Sequence, residues 1–260
     1  MILRRLTEHV KAQNWFAVAI DFLIVVVGVF IGTNVTSWNE ARNTRERATF
    51  VSARLLADVR AEALSYKYLV EYYEEVREYA EKAVAAVDGT APLPDEAFLI
   101  AAYRATQYRY YTRRRAVYDE LLSTGDIGLV ADKRLLDAAV LFYTSAVVDT
   151  TAAVGVNADY RRIFRRAVPA PAQHALLVKC GDLAIESADA LVSHETVDFH
   201  CEIGLPEDEI AAAAAALRGA PDLLPALQQR FADLETAITD LVTGDPYRMQ
   251  AVEEYTRSGK

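Results

Sequence analysis

Asp21 is the one charged residue in the 21-residue run WFAVAIDFLIVVVGVFIGTNV, from Trp15 to Val35. A carboxylate inside a bilayer costs on the order of 2.5–3.5 kcal/mol even on the gentler insertion scale, so something has to offset or avoid that cost. At about 100° per residue, Asp21, Val25, Gly28, Gly32 and Thr36 share one stripe of a helix, and the spacing Gly28-x-x-x-Gly32 admits a second helix at close range. The stripe reads as a transmembrane docking face. The other reading has the Asp21 carboxyl reaching the headgroups, with the glycines incidental.

Two further groups of residues could do chemistry. YRYYTRRR at 108–115 sets Arg109, Arg113, Arg114 and Arg115 beside tyrosines, and Arg161, Arg162, Arg165 and Arg166 form a second basic group. Guanidinium groups on a helical bundle hold a carboxylate or phosphate in forked hydrogen bonds; in an acidic bundle they also pair with Glu and Asp of neighbouring helices. Cys180 and Cys201, with His194, Glu195, Asp198 and His200 close by, are chemically adequate for zinc, but their spacing matches no ordinary site. The expectation is no metal, with the cysteines either closing a 20-residue loop as a disulfide or standing as two thiols. No P-loop, GxGxxG, GxSxG, HExxH or CxxC occurs. The chain is therefore read as a non-enzyme without a cofactor.

The elements that position these residues begin with the apolar run. At 1.5 Å per residue it covers about the roughly 30 Å of a bilayer core, which makes 15–35 a transmembrane helix rather than a cleaved signal or a buried soluble helix. Trp15 and Trp38, the two tryptophans of the chain, bracket it as interface anchors. Residues 1–14 place Ile2, Leu3, Leu6 and Val10 opposite Arg4, Arg5, Glu8 and Lys11, the pattern of a short amphipathic leader on the membrane surface. Three bases precede the span and four follow it (Arg42, Arg45, Arg47, Arg54), so the positive-inside rule alone leaves the orientation tied. The cysteine pair, useful as a staple in an oxidising compartment, tilts the assignment to a cytoplasmic N-terminus and a periplasmic domain. The net charge of −9 and a basic excess confined to the leader disfavour nucleic acid as a partner.

From 36 to 243 the period is helical. A 3-4 spacing runs from Ala48 through Leu55, Val59, Tyr66, Leu69, Tyr73, Val76, Ala80 and Ala83 to Val87, interrupted only by Ser52 and Glu62, and no Gly or Pro occurs between Thr33 and Val87. The span is expected to continue into one long helix that packs on other helices or, as a coiled coil, on a copy of itself. Of its tyrosines, Tyr66, Tyr68, Tyr72, Tyr73 and Tyr79 put ring bodies on or near the seam, and Tyr68 and Tyr72 could also face a partner. After the break at 88–94, helices are expected at about 96–111 with Asp95 as cap, at 113–123, and at 132–167 as one long element. Another starts after Pro206, and a last one runs along the seam Leu224, Leu227, Phe231, Leu234, Ile238 and Leu241, before a polar tail at 244–260. The fold class is all-α: one transmembrane helix plus an antiparallel extramembrane bundle.

The segments RRLTEHVKAQNWFAVAIDFLIVVVGVFIGTNVTSWNEAR and YDELLSTGDIGLVADKRLLDAAVLFY at 118–143 resemble an uncharacterised family of bacterial single-pass membrane proteins whose N-terminal span ends in Trp38-Asn39-Glu40. That resemblance implies a membrane-anchored helical domain and no assigned activity. An acid near the start of a lone span is also similar to the proton-conducting stator proteins, in which it would make Asp21 a proton relay; their peptidoglycan-binding signature is not present. The expected function is a membrane-anchored scaffold or accessory subunit, docked to itself or to a larger inner-membrane complex. The alternatives are a sensor of a small anion and the stator-like relay.

Overall fold

The computed structural model describes residues 15–183 and 196–257; the side chains of residues 15–19 and 21 are outside that description, as is the leader 1–14. The fold is all-helical, with no strand among the described residues. Helix α1 (Trp15–Asp88) is 74 residues long, about 110 Å at 1.5 Å per residue. Nothing in its interior breaks it, since Gly28 and Gly32 are its only glycines and it holds no proline. It stops where Gly89 takes φ of 83°, a conformation costly for a residue with a Cβ. Asp88 marks the same end by accepting from the Thr90 amide at 2.8 Å and hydroxyl at 2.6 Å, bonds that hold its carboxyl below the usual range.

The helix has two halves with different surroundings. From Ile20 to Val35 eleven large apolar side chains stand 40–70% exposed, and the stalk from Thr36 to Phe50 is almost entirely bare. From Val51 onward the helix forms the spine of a bundle. Leu55, Val59, Tyr66, Leu69, Tyr73, Val76, Ala80 and Ala83 of the 3-4 seam are all buried. The bundle starts beside the stalk, where Arg47 pairs with Asp126 and Arg54 with Glu120 at 3.1 Å.

Around this spine lie α2 (Asp95–Ala105), α3 (Ala116–Thr124), a 3-10 turn (Asp126–Leu129), α4 (Lys133–Tyr143), α5 (Val147–Asn157), α6 (Asp159–Ala167) and α7 (Ala170–Cys180). They are followed by α8 (Glu207–Arg218), α9 (Leu223–Val242) and α10 (Pro246–Arg257). α1 packs on α2, α9, α10 and α4. α9 returns along it, Glu235 meeting Arg77 at 3.3 Å and the Leu241 carbonyl accepting from Tyr66 Oη at 2.8 Å. Tyr66, Tyr72, Tyr73, Phe98, Phe142, Tyr160 and Phe164 fill the centre. Local rules account for most ends: Asp132 caps α4 by accepting from the Arg134 and Leu135 amides, and Gly125 closes α3 at φ 74°. Glu207, Asp208 and Glu209 sit in the first turn of α8, against the positive end of its dipole.

The structure departs from the sequence expectation in four places. Pro94, not Asp95, precedes α2; Asp95 is its first residue and pairs with Arg218 of α8 at 2.6 Å. α2 ends at Ala105 instead of 111, and the chain from Gln107 to Arg115 crosses the bundle as an irregular strap. The long helix expected at 132–167 is three helices, broken at Thr144–Ala146 and at Ala158. The tail at 244–260 contains α10, with Arg248, Ala251, Val252 and Tyr255 buried. By length and composition the stretch Lys133–Ala167 would also qualify as a span. Its breaks, and the burial of Leu135, Ala138, Phe142 and Ala152, make it part of the bundle core.

Candidate functional site

The stripe that the spacing marks as a candidate docking face runs along α1 before the stalk. Val25 is 62% exposed, and a Cβ added at Gly28 or Gly32 would meet nothing within 4 Å. The polar residues at the end of the apolar run serve the helix itself: Thr33 and Thr36 hydroxyls donate to the Phe30 and Gly32 carbonyls at 3.0 Å, and Asn34 donates to Phe30 O at 2.7 Å. In hydrocarbon such back-bonding satisfies a hydroxyl without a partner helix. Trp38, 67% exposed, stands just beyond. The backbones of Trp15 and Asp21 belong to α1, but their side chains lie outside the description.

The arginines of the strap do not converge. Arg109 stacks over Tyr68 at 5.2 Å and Tyr72 at 5.9 Å and lies 3.6 Å from Asp182. Arg113 turns inward, Nε donating to Glu62 at 2.9 Å, Nη1 to Ser145 O at 2.9 Å and Nη2 to Phe142 O. Arg115 grips Asp119 with two nitrogens and reaches the Tyr143 carbonyl at 3.2 Å. Arg114 is exposed, and its carbonyl accepts from Tyr143 Oη at 2.8 Å. Three of the four guanidinium groups thus have separate carboxylate partners on the chain. Their contacts also explain the break after α4, because Arg113 and Arg115 occupy carbonyls that a continuing helix would bond to its own amides. In the second basic group, Arg161 donates to Thr106 O at 2.9 Å and covers Tyr108 at 4.8 Å, and Arg162 pairs with Asp159.

Composition did not single out Arg104. It is 2% exposed and held between the rings of Tyr79 and Phe199 at 4.8 and 4.7 Å. It donates to Tyr79 Oη and, at 2.6 Å, to Phe199 O, and Nη2 lies 3.5 Å from Cys201 Sγ. Tyr79 in turn donates to Asp198 at 2.6 Å. Burial, then the Asp198 hydrogen bond, push the Tyr79 phenol up to about 12, so it stays a donor at neutral pH. Glu75 accepts from the Val197 and Asp198 amides at 2.8 Å, and Glu96 from the Ile203 amide at 2.7 Å. Cys180 and Cys201 form a disulfide that ties the end of α7 to this same segment. His194 and Glu195 lie outside the described residues, and His200 is exposed beside Glu202. Among the described residues no three His, Cys, Asp or Glu side chains gather as a metal site.

Tyr68 and Tyr72 are buried, so neither offers a partner surface. Tyr72 Oη hydrogen-bonds Asp182, 3.0 Å from each carboxylate oxygen. Desolvation raises the Asp182 pKa above its ordinary 3.8, against the Tyr72 hydrogen bond and the fields of Arg109 and Arg161. A raised folded-state pKa means that the folded chain holds this proton more tightly than the unfolded one. The resulting stability is full below the ordinary value and is lost as pH rises through the folded value. The stability of the wild type relative to Asp182→Asn, measured by urea unfolding across the carboxylate range, should therefore fall as pH rises. Parallel curves for the two proteins would contradict this account of the carboxyl.

No protein family, curated protein or solved structure matches the chain.

Proposed function

We propose that this chain is a non-enzymatic, single-pass inner-membrane protein whose span and helical domain act as a scaffold or accessory subunit, docking to a partner membrane protein or to a second copy. One observation carries the reading: none of the most apolar 18-residue window of α1 is buried by the rest of the chain. Each large side chain there would cost about 1.5–3 kcal/mol if left in water, so lipid or another helix has to cover the segment. Lipid tails cover apolar surface but give a carboxyl such as that of Asp21 no hydrogen bond, and the open Gly28 and Gly32 on the same stripe let a partner backbone approach. The Cys180–Cys201 disulfide supports an oxidising compartment, hence a periplasmic bundle and a cytoplasmic leader.

The experiment is purification of the full chain from its native membrane in a gentle detergent, followed by native mass spectrometry. A stoichiometric membrane partner or a defined homo-oligomer is expected, and Asp21→Leu or a Gly28→Leu, Gly32→Leu double variant should lose it. Variants that keep the same complexes as the wild type would remove the docking role of the span.

A further inference from the structure

Arg104, in the last turn of α2, is 2% exposed, and no carboxylate pairs with it among the described residues. Nη1 donates to Tyr79 Oη; Nη2, which carries two hydrogens, donates to Phe199 O at 2.6 Å and to Cys201 Sγ at 3.5 Å; Nε has no hydrogen-bond partner. A guanidinium buried among neutral partners keeps most of the cost of leaving water, and what it lacks is a negative charge. The acids around it are committed elsewhere. Asp198 accepts from Tyr79 Oη, Glu75 from the Val197 and Asp198 amides, and Glu96 from the Ile203 amide. Lys82, over the Tyr79 ring at 4.5 Å, adds a second positive charge to the cluster. His200 and Glu202, the neighbours of Cys201, are exposed and face each other at 3.7 Å.

The sulfur that touches Nη2 belongs to the Cys180–Cys201 disulfide, so it is uncharged and a weak acceptor. Once reduced, the same sulfur as a thiolate is the counter-ion that Arg104 lacks, and a cation beside a cysteine favours its thiolate. The two cysteines are not equivalent. Cys180 is 1% exposed at the end of α7, whereas Cys201 is half-buried. A soluble thiol therefore reaches Cys201 first, and the charge of Arg104 attracts it as a thiolate.

We propose that the Cys180–Cys201 bond is a redox switch opened by dithiols, with Arg104 receiving Cys201 as a thiolate. One thiolate of the dithiol attacks Cys201 Sγ, the protein S–S bond breaks, and Cys180 leaves with the electron pair and takes a proton. The second thiolate then attacks the reductant's own sulfur in the mixed disulfide and expels Cys201 Sγ, whose charge falls beside Arg104. The dithiol has lost two electrons and two protons and become a disulfide; the protein sulfurs have gained the electrons, one proton sits on Cys180 and the other is in solvent. Opening the switch exchanges a covalent tie for an ion pair on the 196–203 side, so the end of α7 is the element set free. The inference rests on the bundle alone and stands whether or not the span docks to a partner.

The full chain in detergent tests it. In Cys180→Ser, where the disulfide does not re-form, the rate of iodoacetamide alkylation of Cys201 against pH should have its midpoint at or below about 7.5, against about 8.5 for an ordinary cysteine. Chain with both cysteines, equilibrated at about pH 8 with mixtures of reduced and oxidised dithiothreitol, should favour the reduced form about threefold or more over Arg104→Gln. An alkylation midpoint above about 7.5 overturns the proposal, and so does an equilibrium that Arg104→Gln leaves unchanged or moves toward the reduced form. The alkylation midpoint decides alone if Arg104→Gln does not fold, because Cys180→Ser leaves Arg104 in place.

Discussion

Arg113→Ala is expected to destabilise the bundle by about 3–5 kcal/mol, because it leaves the Glu62 carboxylate buried without its counter-ion. Glu62 is 1% exposed; its Oε1 accepts from Arg113 Nε at 2.9 Å and from Tyr111 Oη at 3.1 Å, and its Oε2 has no hydrogen-bond partner. The same substitution strips the Phe142 and Ser145 carbonyls of their donor at the break between α4 and α5. Urea unfolding of the detergent-solubilised chain measures the loss, and a change under about 1 kcal/mol would show that the pair is not desolvated as its burial implies. The double variant Glu62→Leu, Arg113→Met should recover most of the stability, since removing both charges also removes their desolvation cost. This has a consequence for the small-anion reading of the strap. A ligand lost on Arg113→Ala reports a damaged fold before it reports a binding site. Arg114, whose side chain is exposed, is the position that separates the two.

The pattern of Glu62 shows how far a sequence can be read here. In the 3-4 seam of α1 it is an interruption between Val59 and Tyr66, yet its position on the buried face is correct, and what the period cannot supply is its partner, 51 residues away in the chain. The seam itself is legible because apolar spacing is a local signal that tertiary packing reinforces. The breaks in 132–167 are not legible for the opposite reason. No proline interrupts residues 133–167, and α4 ends where arginines of the strap reach the carbonyls of Phe142, Tyr143 and Ser145. α5 meets the strap as well, since a Cβ on Gly155 would fall 2.6 Å from Tyr108 Cβ. The strap in its turn gives up helix because its backbone finds other partners: Tyr73 Oη bonds both the amide and the carbonyl of Arg109, and Arg230 takes Ala105 and Gln107 O. At 244–260 the charge of the segment hid a periodic face, Arg248, Ala251, Val252 and Tyr255, that packs on α1 and α4. Of the features considered, the stripe on the apolar run follows from spacing alone. The burial of Arg230 does not, because the backbone carbonyls that hold it come from α2 and the strap, more than 120 residues away in the chain.

Opening the disulfide should cost the bundle about 3 kcal/mol. Cys180 and Cys201 are 21 positions apart, and in the chain-entropy account a cross-link closing a loop of this length restricts the unfolded chain by about that amount. A Cys180→Ser, Cys201→Ser variant compared with the oxidised wild type in urea measures it, and equal midpoints would mean that the side-chain ties hold the segment without help. Those ties are considerable: Glu75 on the Val197 and Asp198 amides, Glu96 on Ile203, and Arg104 on Phe199 O. They join 196–203 to α1 and α2 whether or not the sulfurs are bonded, so opening the disulfide is expected to free the end of α7 more than the loop. Hydrogen exchange then gives a sharper readout than global stability, with protection lost around Leu176–Cys180 and retained at Val197 and Ile203. The redox state also tests the topology. A bundle on the periplasmic side carries the bond as isolated, and thiol-specific alkylation of intact cells leaves both cysteines unlabelled until a reductant is added; labelling without reductant would place the bundle in the cytoplasm.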